Sequence, residues 1–517
     1  MLNDLQGCGN LEQRADVIVI GAGTAGLPTS VMLARDNMRV ICLESGGERQ
    51  VEDVHPLNEV VQRGTPYGGA AHGRFRCLGG TSTRWGGALI PFQEADLEQS
   101  DWPITMSDLE PHLRTVEALF GLPDGPYDDP DFPFWLGDRY VARMAKWPPF
   151  KKRNVVSLVG RESRNCKSLN LWLNATVTEI IAPQQGAEVE VVARSLLGDC
   201  IHVSASRLII AAGAIETTRL VLLLDRSNRG IVSALSPMLG CYLSDHISFG
   251  VAEIEVAKRS AFNKIIGFRF EAGGMRNLRL ELATRAPERT DLRPHFIHIA
   301  SDATRPGGFD ALRELLRCIQ QRRLPAPRLG IDLVANGPWL LHAAWWRYIH
   351  KRLLFPAGSR LVVHVVLEQE PVPENCITLS SERVDSFGLP MAEIDWRISE
   401  ADVDRMHRAT DLLEATWQVT DFAEYGDLHR FQRKNMTTGV QLSEGIFHPS
   451  GSTRMSHDAA TGVVDRDLRL FALPQIQLLS TSVLPTAGGA NPTMMLMLLA
   501  MRCVVQHRMG LPAATSG

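Results

Sequence analysis

The chain has 517 residues, 44% of them hydrophobic and 22% charged, with a formal net charge of −4. This is an ordinary globular composition with room for two or three domains, or two lobes around one cofactor, and it gives no electrostatic reason to expect nucleic acid. Nine cysteines without a C-x-x-C spacing argue against a disulfide framework or zinc site, and with no visible signal peptide or spanning apolar run a cytoplasmic setting is expected.

The first informative stretch runs from Asp16 to Gly47. Asp16–Ile20 is a β-branched strand, Gly21, Gly23 and Gly26 fall into G-x-G-x-x-G, and Val40–Leu43 is a second strand ending in Glu44. The first glycine permits a tight turn, the second lets a pyrophosphate approach the backbone, and the third lets helix and strand pack closely. Ser30 keeps the helix narrow where it crosses the sheet. Glu44 stands within the usual reach of an acidic ribose-binding residue, and the helix N-terminus offers N–H groups and a positive dipole end to phosphates. A dinucleotide is indicated; which one stays open.

In the next loop, Gly79, Gly80, Gly86 and Gly87 bracket Thr81, Ser82, Thr83 and Trp85. Such a loop can lay N–H groups and hydroxyls along a polar ligand, with Trp85 packing a flat face. A helix is expected over Met106–Phe120 with Ser107 as N-cap, then an irregular excursion from Pro123 to Pro149. Leu169–Leu173, Thr176–Ile181, Val189–Val192 and Arg207–Ala211 read as strands. The last runs into Ala212-Gly213-Ala214 and the helix Ile215–Leu224, a second strand–glycine–helix junction.

Residues 246 to about 440 read as an α+β lobe around a largely antiparallel sheet. Its strands are Gly250–Ala257, Phe296–Ala300, Arg360–Gln369, Asn375–Leu379 and Met391–Asp395, and its helices Ala311–Arg323, Trp339–Phe355 and Glu400–Thr416. The helix over Trp339–Phe355 puts Trp346, Ile349 and Leu353 on one face, with Arg347, His350, Lys351 and Leu354 beside it. A basic, tryptophan-rich helix can lie on a membrane surface or pack as a lid on its own protein. Glu368 and Glu370, at a strand end, can recognise hydroxyls or amines, or be plain surface charges.

The C-terminal segment holds HPSGSTRM (His448–Met455) and then a strand, a Gly/Pro loop and a helix over Ile476–Arg508. Asn491 suits an N-cap with Pro492 at the first helical position. Met494–Met501 is apolar on every side, so this helix is central. If the cofactor is a flavin, reduction leaves negative charge at its N1/C2=O edge, which a helix N-terminus stabilises by roughly 0.3–2 kcal/mol. Oxidising an alcohol also needs a proton acceptor, a role suited to histidine with its ordinary pKa of about 6.5. His448, biased to extended geometry by Pro449 and followed by a flexible Ser450-Gly451-Ser452 turn, fits; His457 is the weaker candidate.

The Gly21–Gly26 turn with Glu44, LGGTSTRWGG, the Ala211–Glu216 junction AAGAIE, LGCYLSDHIS, HPSGSTRM and PTAGGANPT follow one another from about residue 15 to 508. Together they resemble the glucose–methanol–choline (GMC) oxidoreductases, FAD-dependent enzymes that oxidise alcohols. The resemblance implies an α/β fold with a Rossmann-like FAD-binding domain built from discontinuous segments 1–95, 165–245 and 441–517. It also implies an α+β substrate-binding lobe with a mainly antiparallel sheet, from 96–164 and 246–440. His448 and Asn491 match the family's catalytic positions. FAD contacts are expected at Gly21, Gly23, Thr24, Ala25, Gly26, Glu44, Arg76, Thr81, Trp85, Gly86, Gly87, Ala88, Val177, Ala212, Gly213, Ser482, Asn491, Pro492 and Thr493, and no metal is expected.

The asparagine form and the SxLPTxGxANPT ending look most like bacterial members related to pyranose and polyol oxidases. In some pyranose oxidases a histidine in an STHW motif binds the flavin covalently; Arg84 stands there in this chain, so non-covalent FAD is expected. The expected reaction converts an alcohol to an aldehyde or ketone by hydride transfer to flavin N5, with oxygen or another acceptor reoxidising the cofactor. A sugar, cyclitol, aminoglycoside or other polyol comes before a hydrophobic alcohol. The rivals are an FAD-containing lyase on the same fold, a flavin dehydrogenase acting on a hydrophobic alcohol at a membrane surface, and a nicotinamide dehydrogenase, disfavoured because no second G-x-G-x-x-G is present.

Overall fold

The computed structural model describes residues 1–50, 54–129, 132–182, 188–271, 273–302, 307–356, 358–443 and 445–509. One sheet gathers strands from distant parts of the chain. Its order is Leu2–Asp4, Leu169–Leu173, Val40–Leu43, Asn10–Ile20, Cys200–Ile210, Val189–Arg194 and Thr176–Ile181, and Ile476–Leu478 pairs with Cys200–Ile210. The pairings among the first five strands, and that of Ile476–Leu478, are parallel. The last two strands join antiparallel. Strands buried on both faces read as continuous apolar runs, as Val40–Leu43 does. The strand expected at Asp16–Ile20 begins earlier, at Asn10, because its half-exposed first part pairs with Cys200–Ala205.

The glycine turn follows that strand. Gly21 has φ +99°, and a Cβ there would lie 2.6 Å from the Ala211 carbonyl oxygen. At Gly26 a Cβ would sit 2.0 Å from the Gly21 oxygen, so helix Gly26–Arg35 can approach the strand only through a glycine. Gly26→Ala is expected to destabilise the protein by about 1–3 kcal/mol through overpacking, read as a lower Tm. At the other end of the chain, helix Thr493–Arg508 is buried on every side from Met494 to Met501. It packs against helix Gly26–Arg35 in the same apolar core.

A second sheet is antiparallel throughout. Its order is Arg269–Glu271, Gly274–Leu282, His295–Asp302, Arg360–Glu368, His246–Val256 and Gly426–Arg430, with Tyr140–Trp147 along Gly274–Leu282. Tyr140–Trp147 lies inside the stretch expected to be irregular; its backbone is satisfied by eight residue pairs, Met275↔Trp147 through Leu282↔Tyr140. One face of this sheet is apolar: Ile247, Leu280, Ile297, Val365 and Leu367 join Met406, Leu413 and Trp417 of helix Glu400–Val419 in one core. Because side chains alternate across a strand and the register pairs His246 with Glu368, His298 with His364, and Glu281 with Phe296, the opposite face is rich in charge and imidazole. A third sheet joins Cys376–Val384, Pro390–Trp396 and Val61–Gly64.

Three local expectations are corrected. The helix proposed over Met106–Phe120 is two 3₁₀ turns followed by Leu113–Phe120, and Thr105, not Ser107, makes the capping box with Asp108. The helix proposed over Trp339–Phe355 is Gly337–Trp345 plus a π-turn, Trp346–His350. It stops because Lys351 adopts φ +53° and the following residues pair back, with Leu353 N–H donating to Phe268 C=O. A π-turn adds a residue and rotates the face: Trp346 is buried while Ile349 is 63% exposed. The single tryptophan face is therefore divided. Among the described residues no helix is long and apolar enough to cross a membrane.

Candidate active site

His448 sits where three parts of the chain meet. Its Nδ1 lies 3.1 Å from Nδ1 of His246 and its Nε2 lies 3.2 Å from Nδ2 of Asn491. His246 Nε2 lies 2.8 Å from the Gly488 carbonyl oxygen. A carbonyl only accepts, so His246 carries its proton on Nε2. Burial, and the Arg279 charge after it, push the His246 pKa down to about 4, so the ring is neutral and its Nδ1 is an acceptor. His448 must then donate from Nδ1. Burial first, then His246 and Arg279, hold the His448 pKa well below the ordinary value. A neutral ring protonated on Nδ1 leaves a lone pair on Nε2, which accepts from Asn491 Nδ2–H.

Asp245 anchors this arrangement. Its Oδ1 accepts from the backbone N–H of His246 (2.6 Å) and His448 (2.9 Å). Its Oδ2 accepts from Tyr67 O–H (2.6 Å) and Phe447 N–H (3.1 Å). Ligand-type atoms of Asp245, His246 and His448 lie within 4.8 Å of one another, but with both carboxylate oxygens accepting two bonds the cluster is a hydrogen-bonded knot. Asp245 and His246 were not expected in the site, although DH within LGCYLSDHIS was the available signal. The turn after Pro449 is held rather than flexible: Ser450 and Ser244 exchange backbone hydrogen bonds of 3.0 and 2.9 Å, and Ser452 is fully buried. His457 is exposed beside Asp101 and takes no part.

Asn491 is not the helix cap. Pro492 takes the cap position, and the asparagine amide is turned to His448 instead. Its Oδ1 is buried without a hydrogen-bond partner among the described residues, a cost that a native site meets with a ligand or water. Glu368 and Glu370 are not free recognition groups either. Glu368 is fully buried, accepts from Gly488 N–H at 2.6 Å and pairs with Arg293 at 2.6 Å; Glu370 pairs with Arg405 at 3.0 Å.

The dinucleotide turn tests the fit of a cofactor. A Cβ at Gly23 would meet only Gly80 Cα, at 4.0 Å, and one at Gly213 would meet nothing within 4 Å. These open positions flank the helix that begins at Gly26, with half-buried Thr24 and buried Ala25 between. Glu44 is buried at the strand end, accepting from Ala22 N–H (2.8 Å) and Gly46 N–H (2.9 Å), and burial raises its pKa. Each oxygen keeps a lone pair for a ribose hydroxyl. Ala212 is half-buried next to Gly213. The residues present fit FAD: the Gly21–Gly26 turn and Glu44 would hold its adenosine diphosphate half.

Other expected contacts are engaged within the protein. Arg76 donates to Asn58, Ser45, Leu57 and Glu216 at 2.7–3.0 Å, tying the glycine loop to the junction helix Ala214–Ser227. Trp85 packs edge-on against Phe120, and its N–H donates to Arg153 C=O at 2.8 Å, so its ring serves the core. Thr81 and Gly86 are exposed, whereas Gly87 and Ala88 are buried. The loop itself rests on the turn, Gly79 N–H donating to Ala22 C=O at 2.9 Å. Val177 is a buried strand residue opposite Ala193. Ser482 is fully buried and bonded to Thr453 and Ser480 at 2.6 Å each. Thr493 opens the C-terminal helix beside Asn491 and Pro492.

A dinucleotide turn and an imidazole–amide pair thus stand in one chain, the first suited to a dinucleotide cofactor and the second to accepting a proton. Residues 371–500 match the family model described as GMC oxidoreductase. That match lies in the C-terminal part of the chain and agrees with the resemblance of its motifs to the glucose–methanol–choline oxidoreductases. The chain is 22% identical over 95% of its length, and 94% of the relative's, to a 2-methyl-1,2-propanediol dehydrogenase of Mycolicibacterium austroafricanum. It is 29% identical, over 28% of its own length and 24% of the relative's, to a paromamine 6'-oxidase of Streptomyces fradiae. Pyridoxine 4-oxidase from Mesorbium loti shares the fold, with a TM-score of 0.58 at 16% identity over 96% of this chain and 99% of that one.

Proposed function

We propose that this enzyme oxidises the carbinol group of a small hydroxylated substrate to an aldehyde or ketone, with His448 as the base. The observation that carries the reading is the protonation state that the hydrogen bonds give His448: neutral, with a lone pair on Nε2 that accepts from Asn491 Nδ2–H. An alcohol entering there breaks the direct Asn491–His448 bond and bridges the two, donating its O–H to Nε2 and accepting from Asn491 Nδ2–H, while Oδ1 can accept from a second hydroxyl. FAD, when bound, supplies the acceptor for the carbinol hydride at N5. A diol or polyol uses both faces of the Asn491 amide. The name of the propanediol dehydrogenase supports that substrate class.

Anaerobic addition of glycerol, sorbitol and 2-methyl-1,2-propanediol to the yellow holoenzyme tests this. The flavin is expected to bleach with at least one of them. Turnover of an added alcohol without bleaching would instead indicate lyase chemistry, and failure of every alcohol to bleach it would sink the reading.

Arg84 is exposed and lies over the Phe75 ring at 5.2 Å, and an arginine cannot form a histidyl–flavin bond. Acid precipitation of the holoenzyme is therefore expected to leave all the yellow colour in the supernatant. Colour retained in the pellet would show a covalent link.

A further inference from the structure

The polar face of the antiparallel sheet holds a buried cation with no hydrogen-bonded or ion-paired partner among the described residues. Three buried carboxylates near the site each have an arginine: Glu281 pairs with Arg143 at 2.6 Å, Glu368 with Arg293 at 2.6 Å, and Asp96 with Arg289 at 3.0 Å. Arg279 is left over. It is 6% exposed, and its Nε and Nη1 are buried with no hydrogen-bond acceptor among the described residues. Its guanidinium stacks over Phe296 at 4.1 Å, and burial lowers its pKa to about 10, which leaves it charged at neutral pH. The Glu281 carboxylate, already bonded to Arg143, offsets part of this charge without a hydrogen bond to it, and the unsatisfied guanidinium donors are a cost that an arriving anion removes.

Its position says which anion. Phe296, under the guanidinium, lies 6.3 Å from the His246 ring, which lies 5.2 Å from the His448 ring. The Arg279 charge is felt at His448, His246 and His298. On the neighbouring strand, His298 Nδ1 is also buried without a partner. A planar guanidinium with two free donors matches a carboxylate, and the imidazole beside it adds one more polar contact. We propose that Arg279, assisted by His298, binds a substrate carboxylate, so that the alcohol oxidised is a hydroxy acid. This rests on the alcohol-oxidation reading and narrows it. It disfavours cationic amino sugars, which would meet the unpaired charge.

The test titrates the anaerobic holoenzyme with glycerate and gluconate against their neutral counterparts glycerol and sorbitol, and with propionate, which carries no carbinol. Binding is read from perturbation of the flavin spectrum and from tryptophan fluorescence, independently of bleaching. Each hydroxy acid is expected to bind at least about 10-fold more tightly than its neutral partner. Arg279→Gln is expected to cost at least about 30-fold in carboxylate affinity, with neutral-polyol affinity unchanged, flavin content retained and Tm at least as high as the parent. Equal affinity for acids and neutral polyols, or unchanged carboxylate binding in Arg279→Gln, would overturn the proposal. So would loss of flavin from Arg279→Gln, since the guanidinium would then serve the cofactor. Arg279-dependent binding of propionate without bleaching by any alcohol would leave the carboxylate site standing and remove the oxidation reading instead.

Discussion

Replacing His448 with alanine is expected to slow reductive bleaching of the bound flavin, followed at about 450 nm in a single turnover, by about 10²-fold or more. Flavin content should change little, because the hydrogen bonds of the His448 ring go to His246 and Asn491 and not to the Gly21–Gly26 turn. The pH profile of the unmodified enzyme carries a second expectation. A base works only while unprotonated, so the rate falls as pH drops through its pKa. Burial, His246 and Arg279 hold that pKa well below the ordinary histidine value. The acid limb of the bleaching rate should therefore lie well below pH about 6.5. A limb at or above that value, or unchanged bleaching in His448→Ala, would remove His448 from the proposed role.

What could be read in advance followed the range of the interactions. The Gly21–Gly26 turn is local: glycine is required by a positive φ at Gly21 and a close approach at Gly26, and a strand on either side makes it unambiguous. The central C-terminal helix was equally legible from its uninterrupted apolar run. His448 and Asn491 could be singled out, but not the Asn491 geometry, because an Asn-Pro pair before a helix has a standard local use as a cap and only the fold turns the amide to His448. The packing of Trp85 was illegible for a similar reason, since nothing in a glycine loop tells which side of it faces Phe120. His246 lies 202 residues from His448, and Arg279 sits in a strand whose alternating arginine, glutamate and leucine look like an ordinary solvent-facing pattern. The sheet buries that face, and burial turns a surface charge into a candidate binding group.

His246→Leu is expected to lower the rate of flavin reduction by about 10²-fold without touching the reacting groups. In the parent, His246 Nδ1 accepts the His448 Nδ1 proton because its own proton is committed to Gly488 C=O. Leucine offers no acceptor. The other tautomer then competes: with its proton on Nε2, His448 can donate to Asn491 Oδ1 after an amide flip, which satisfies the orphan oxygen and blocks the base. The flip exchanges the Asn491 N–H···Nε2 bond for an Nε2–H···Oδ1 bond, so what tips the balance is the Nδ1–H that leucine leaves buried without an acceptor, a cost of about 1–3 kcal/mol. A comparable loss of tautomer control in serine proteases reaches about 10⁴. His246→Asn is the discriminating variant, since an amide oxygen can stand in the place of Nδ1 and accept; it should recover most of the rate that leucine loses. The leucine variant should also move the acid limb to higher pH, because the His246 ring is one of the groups holding the His448 pKa down. Equal defects in the two variants, with an unmoved limb, would reduce His246 to a packing residue and leave the choice of tautomer to Asn491 alone.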